Sequence, residues 1–166
     1  MIYRIPQLSA DDIGVLGLIH GQRNHLRYQV AQNPNRWTGF LRRNTFARAM
    51  QGSNSIEGYN ATLAAAAEIV DDEKPETVEE ETVRALIGYR TAMTYILQTH
   101  DDPHFELNAQ VVKSLHFIML SYDLTKMPGQ GRPGAVYVGR EQTGETGYEG
   151  PEATAVPPLI AELIDQ

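Results

Sequence analysis

The 166-residue chain contains no cysteine, which excludes disulfides, a thiolate zinc ribbon and a cysteine nucleophile. That absence fits a reducing compartment, and a cytoplasmic location is the expectation. No apolar run approaches the roughly 18 residues that a membrane helix needs, and Met1–Pro6 is too short for the apolar core of a signal peptide. No membrane partner is expected. The sequence also lacks a serine-centred elbow, a Walker sequence, an H-E-x-x-H pair, internal repeats and a low-complexity linker. A formal charge of -7 weighs against nucleic acid as a partner.

What is present suits one domain, long enough to bury roughly 70% of its unfolded surface. Charge is unevenly spread. Residues 1–50 hold seven arginines against two aspartates, whereas residues 68–84 hold eight acids against Lys74 and Arg84. Two readings stand: oppositely charged solvated faces that lie on one fold or pair with each other, or a basic surface for an acidic partner.

The periodicity predicts a mainly α fold. Ser9 and Asp12 form a capping box for a first helix, in which Ile13, Leu16, Ile19, Arg23, Leu26 and Val30 recur at three- and four-residue steps until Asn33-Pro34-Asn35. Trp37 and Phe40 mark a connection, and a second helix is expected after Asn44 with a stop at Gly58-Tyr59-Asn60. Alanine-rich Ala61–Val70 forms a third, broken by Asp71–Pro75. A fourth spans about Glu79–Thr99, with Val83, Leu86, Ile87, Met93, Ile96 and Leu97 as its inner stripe. Asn108 caps a fifth, which carries Val111, Leu115, Ile118, Met119 and Tyr122. Ala135–Val138 is the one convincing strand, and a weaker return near Tyr148 makes a β-hairpin. A last helix opens on Val156-Pro157-Pro158, with prolines in its first turn.

Signals of chemistry taken singly are weak. Gly129-Gln-Gly131-Arg-Pro-Gly134 has the letters G-x-G-x-x-G, but a helix precedes it and a strand follows, so it reads as a loop rather than a dinucleotide cradle. His100, Asp101, Asp102, His104 and Glu106 hold metal-ligand chemistry but lie around Pro103 in a connection, which favours a solvated loop; no metal site is expected. His116, within an apolar helix, reads as a hydrogen-bonded, half-buried histidine. His20 and His25 have no supporting acid or nucleophile in their pattern.

An ordered set of features says more. Ser53-Asn-Ser-Ile-Glu57-Gly58 fits [S/T]-x-x-x-E-[G/N] and resembles the inhibitory helix motif of Fic-family proteins, which transfer AMP from ATP to protein hydroxyls. An acidic spacer follows, then the helix over about Glu79–Thr99 and a helix with Ser114-Leu115-His116 similar to the family's "LH" helix. Gly131-Arg132, the strand Ala135–Gly139 and Val156–Ile160 resemble the family's G-x-x-R turn, flap hairpin and next core helix. The resemblance covers Thr45–Gln166 and implies the first half of a helical Fic-like core with one β-hairpin flap. Residues 1–44 form an N-terminal helical extension in that reading.

The resemblance also implies roles. Glu57 matches the glutamate that pairs with an arginine meant for the ATP γ-phosphate, and loss of one partner of such a buried pair costs about 3–5 kcal/mol. Ser53, one turn earlier on the same face, orients Glu57 or holds the helix against the core, and Gly58 ends the helix. Val136, Tyr137, Val138 and Gly139 match the flap, which holds a target segment by strand addition; a plain hairpin covering the core is the other reading. The transfer loop H-P-F-x-[D/E]-G-N-G-R-x-x-R is not in this sequence. The expectation is therefore an inactive N-terminal part of a longer protein, with no catalytic residue in this chain. ATP and Mg2+ are requirements of the complete protein only. Its expected partners are a target protein bearing a hydroxyl, the rest of the Fic core and a possible second copy. Two alternatives stay open: a non-enzymatic helical interaction module, and a nucleic-acid binder using Arg23, Arg27, Arg36, Arg42, Arg43 and Arg48.

Overall fold

The computed structural model of the chain describes residues 6–32, 36–139 and 146–166. Their order is α1 (Ala10–Gln32), α2 (Arg36–Ile56), α3 (Leu63–Val70), α4 (Glu80–Thr99), α5 (Ala109–Leu120), β1 (Tyr137–Gly139), β2 (Thr146–Glu149) and α6 (Val156–Ile164). The fold is mainly α with one antiparallel hairpin.

Local signals set most boundaries. The Ser9 hydroxyl accepts the Asp12 N–H at 3.2 Å while the Asp12 carboxylate accepts from the Ser9 N–H at 2.9 Å, which closes the capping box of α1. The Asn33–Asn35 stop lies outside the described residues. Thr62 caps α3, and Asn108 caps α5 through two backbone N–H groups. Pro157 and Pro158 sit in the first turn of α6, where no intrahelical donor is lost.

Two expectations are corrected. The second helix begins at Arg36 rather than after Asn44, so Trp37 and Phe40 lie within it. A single Gly39, at a cost of about 1 kcal/mol, does not break a helix of this length. In α4, Val83 and Leu86 are buried as expected, but Ile87 and Leu97 are 40% and 52% exposed, and Thr82, Ala85, Gly88 and Ala92 take the inner positions. The reason is close approach: a Cβ on Gly88 would lie 2.2 Å from the Met119 carbonyl oxygen of α5. The crossing admits only small residues.

The core sits where α2, α3 and α4 meet. Ala47, Met50, Ala66, Ile69, Val83 and Leu86 form one buried cluster. Arginines fasten its rim: Arg43 of α2 pairs with Asp71, and Arg90 of α4 pairs with Asp72 at 2.7 Å and donates to the Ile69 carbonyl. Basic and acidic segments thus meet directly at this edge.

The strand begins at Tyr137, two residues later than expected. Tyr137 pairs with Glu149 and Val138 with Tyr148, with a bulge before Gly139 pairs with Thr146. Val136 lies just outside the strand, and its carbonyl accepts the Gly150 N–H at 2.8 Å.

Candidate functional site

The C-terminal end of α2 is where the sequence motif and the structure converge. The Gly58 N–H reaches the Ser55 carbonyl and the Tyr59 N–H reaches the Asn54 carbonyl, at 3.1 and 3.0 Å. Gly58 has φ +86. This pair of bonds is a Schellman stop with Gly58 in the left-handed position, where a side chain would be strained. Glu57 is the residue that turns out of the helix. It is exposed, and its carboxylate makes no hydrogen bond or ion pair with the described residues.

Ser53 lies on the preceding turn, and its hydroxyl is 3.2 Å from the Tyr89 hydroxyl of α4. Asn54, 6% exposed, donates to the Met50 carbonyl at 2.9 Å. The motif helix is therefore held to α4 through Ser53 while Asn54 is buried within it.

Tyr59, the residue after the stop, enters a polar cluster that the sequence reading did not find. Lys126 Nζ donates to the Tyr59 hydroxyl at 2.8 Å, to Glu81 Oε1 at 2.9 Å and to the Tyr122 hydroxyl at 3.4 Å. All three ammonium protons are used. The same cation lies 5.4 and 5.3 Å from the Tyr59 and Tyr122 ring centres, within cation–π range. The Tyr122 hydroxyl donates to that of Tyr59 at 3.3 Å.

The charges follow from these contacts. Bonding to Tyr59 and then to Glu81 holds the Lys126 pKa well above its ordinary value. The Lys126 ammonium keeps Glu81 below the usual carboxylate range. Burial first, then the bond to Tyr59, pushes Tyr122 up. At neutral pH the cluster pairs an ammonium with a carboxylate beside the neutral Tyr122 phenol. Chemically it is a clamp rather than a base, since its lysine stays protonated. It joins the end of α2 to the start of α4 and the end of α5. No local pattern reveals it, because the tertiary fold brings Tyr59 and Glu81 to the Tyr122–Lys126 turn.

His116 is half-buried, and its Nδ1 accepts the Gly129 N–H at 3.0 Å. That bond assigns the remaining ring proton to Nε2. Gly129 has φ +76, and a Cβ there would be 3.2 Å from Phe117 Cβ. The G-x-G-x-x-G letters accordingly form a turn packed on α5. Arg132 donates to the Gly134 carbonyl at 2.5 Å and also to the Pro151 carbonyl, so one guanidinium ties the two ends of the hairpin. Val136 and Tyr137 are 45% and 58% exposed. The strand positions of Val138 and Gly139 are fixed by the register alone.

The other sequence candidates do not assemble. His100, Asp101, Asp102, His104 and Glu106 are all exposed, and Asp102 accepts from the His104 backbone in a turn. Among the described residues no group of three or more His, Asp or Glu side chains is placed to hold a metal. No described helix is long and apolar enough to cross a membrane. The glycines, acid and arginines that the resemblance assigns to ATP and Mg2+ are not in this sequence. The residues present do not make up that donor set.

No protein-family model matches the chain, and no curated protein does. Among solved structures, a Fic family protein from Desulfovibrio desulfuricans G20 matches with a TM-score of 0.71 at 22% identity. The match covers 98% of this chain and 46% of that one, so the chain spans less than half the length of the protein it resembles. At this identity the likeness is one of architecture, and the chain carries a mainly α, Fic-like fold.

Proposed function

We propose that the chain is the N-terminal regulatory and target-docking part of a Fic-type protein adenylyltransferase, autoinhibited through Glu57. One observation carries the reading. The Ser53–Gly58 motif ends α2 on a glycine stop, inside a Fic-like fold, with Ser53 against Tyr89 and Tyr59 in the lysine clamp. These ties hold the turn bearing Glu57 in one position, as an inhibitory carboxylate requires.

Glu57 faces solvent in this chain. In the proposal its partner is the arginine of the catalytic loop, supplied by the missing half of the core. Residues 1–44 serve as an extension and 45–166 as the inhibitory helix and first part of the core, although α2 itself runs across residue 44. Val136, Tyr137, Val138 and Gly139 present a strand edge to the target, whose hydroxyl receives AMP. ATP and Mg2+ act only in the complete protein, in the cytoplasm.

The test begins with the codons beyond Gln166. A sequence of the form H-P-F-x-x-G-N-G-R is expected there. In the protein that includes it, Glu57→Gly raises transfer of labelled AMP about 100-fold, in line with the ~3 kcal/mol or more lost with a buried pair. Absence of that loop, or unchanged transfer by Glu57→Gly, overturns the reading. For residues 1–166 alone, titration calorimetry detects no tight Mg2+-dependent ATP binding; a tight complex contradicts the proposal. A non-enzymatic helical interaction module is the second reading, favoured by the exposure of every residue from Pro6 to Arg27. An extended protein that binds a partner without transferring AMP selects it.

A further inference from the structure

We propose that α1 is the interface of a two-fold homodimer in which two copies of this helix lie antiparallel. This goes beyond AMP transfer and does not depend on it.

Every residue from Pro6 to Arg27 is exposed. Among them Leu16, Ile19 and Leu26 are 49%, 54% and 59% exposed, and nothing comes within 4 Å of a Cβ placed on Gly14, Gly17 or Gly21. Each of those glycines costs about 1 kcal/mol relative to alanine in a helix. Helices in proteins draw most of their stability from packing an apolar face. Ile13, Val15 and Leu18 are equally bare, so apolar side chains are not confined to one face, and a helix with three glycines and this much bare apolar surface needs a cover.

The charge pattern identifies the cover. Asp12, Leu16, Ile19, Arg23 and Leu26 follow one another at alternating steps of four and three residues, the spacing of a coiled-coil seam. From Asp12 to Arg23 the seam is acidic at one end, basic at the other and apolar between, and Leu26 lies beyond that stretch, opposite Ser9 of the other copy. Laid antiparallel on itself about an axis between Gly17 and Leu18, it sets Asp12 of one copy opposite Arg23 of the other. Leu16 then faces Ile19, and symmetry makes each contact twice. A parallel pair would instead oppose Asp12 to Asp12 and Arg23 to Arg23. The groups are available. Asp12 Oδ2 takes the Ser9 bonds of the cap, which leaves Oδ1, and Arg23 has no hydrogen bond or ion pair with the described residues. A two-helix contact of this length falls at the low end of specific interfaces, roughly 1,200 Å² or less in total, so the dimer is a weak one.

Sedimentation velocity on the full chain over a concentration series tests this. The unmodified chain passes from monomer to dimer. Arg23→Glu, which leaves the cap intact, weakens association about tenfold or more, since close charge pairs at interfaces are worth ~1.5 kcal/mol upward. Asp12→Arg does the same. An equal mixture of the two single variants recovers the dimer, as does the doubly substituted chain, because every facing pair is again of opposite sign. Circular dichroism of each variant monitors helix content. A chain that stays monomeric throughout, a dimer indifferent to Arg23→Glu, or a mixture that fails to recover would each overturn the proposal.

Discussion

Residues 6–27 and residues 47–92 are both largely helical and both rich in apolar side chains, yet the first stretch is exposed throughout while the second contains the core. The difference lies in partnership rather than in hydrophobic content. Where α2, α3 and α4 meet, Ala47 and Ala66 let the helices approach until Met50, Ile69 and Leu86 are fully covered. In residues 6–27 the small Gly14, Gly17 and Gly21 meet nothing, and the large apolar side chains remain bare. Burial is a property of matched surfaces, which a single helix does not possess by itself.

That contrast can be broken at its strongest point first. Leu86→Ala is expected to cost ~2–5 kcal/mol in chemical denaturation, as for a filled core position. Gly88→Ala should cost ~1–3 kcal/mol by forcing α4 away from the Met119 carbonyl; no loss there would mean that α4 and α5 cross less closely than described. At the margin of the core, the Glu81–Lys126 pair gives a pH signature. Glu81 titrates below its ordinary 4.5 when folded, so its contribution is present above that value and lost as pH falls through the lowered one. Lys126 titrates above its ordinary 10.5, so its contribution is present below that and lost as pH rises through the raised one. The melting-temperature difference between the parent and Lys126→Met should be flat near neutrality and shrink in acid. The smallest effect is expected in the bare region. Leu16→Asp should change the stability of the monomeric chain by no more than ~0.5 kcal/mol, the usual range for surface substitutions.

Much of this architecture was legible in residue order. Ser9 and Asn108 act locally as caps, Gly58 and the two prolines of α6 are local signals, and the structure honours them. The start of α2 was not legible, because an aromatic pair beside Gly39 looks like a break when helix length is unknown. Nor was the true inner face of α4. Large side chains define a stripe in sequence, but the Gly88–Met119 crossing is decided by how near two backbones come. The site divides in the same way. The Ser53–Gly58 motif is contiguous and readable, whereas the lysine clamp joins Tyr59 to residues 22 and 67 positions away, and no contiguous pattern spells it. The Arg132 bridge is of the same kind, since its target Pro151 lies beyond the hairpin.

The glycine stop at Gly58 places Glu57 and Tyr59 on either side of one residue whose backbone is held left-handed. The carboxylate and the phenol therefore share a single rigid spacer. A one-residue insertion between them would leave the helix and the clamp each able to form, while changing the spacing between the acid and the clamp. The reach of Glu57 is thus set by chain register, and length changes at this turn would disturb it more than substitutions in the surrounding loops.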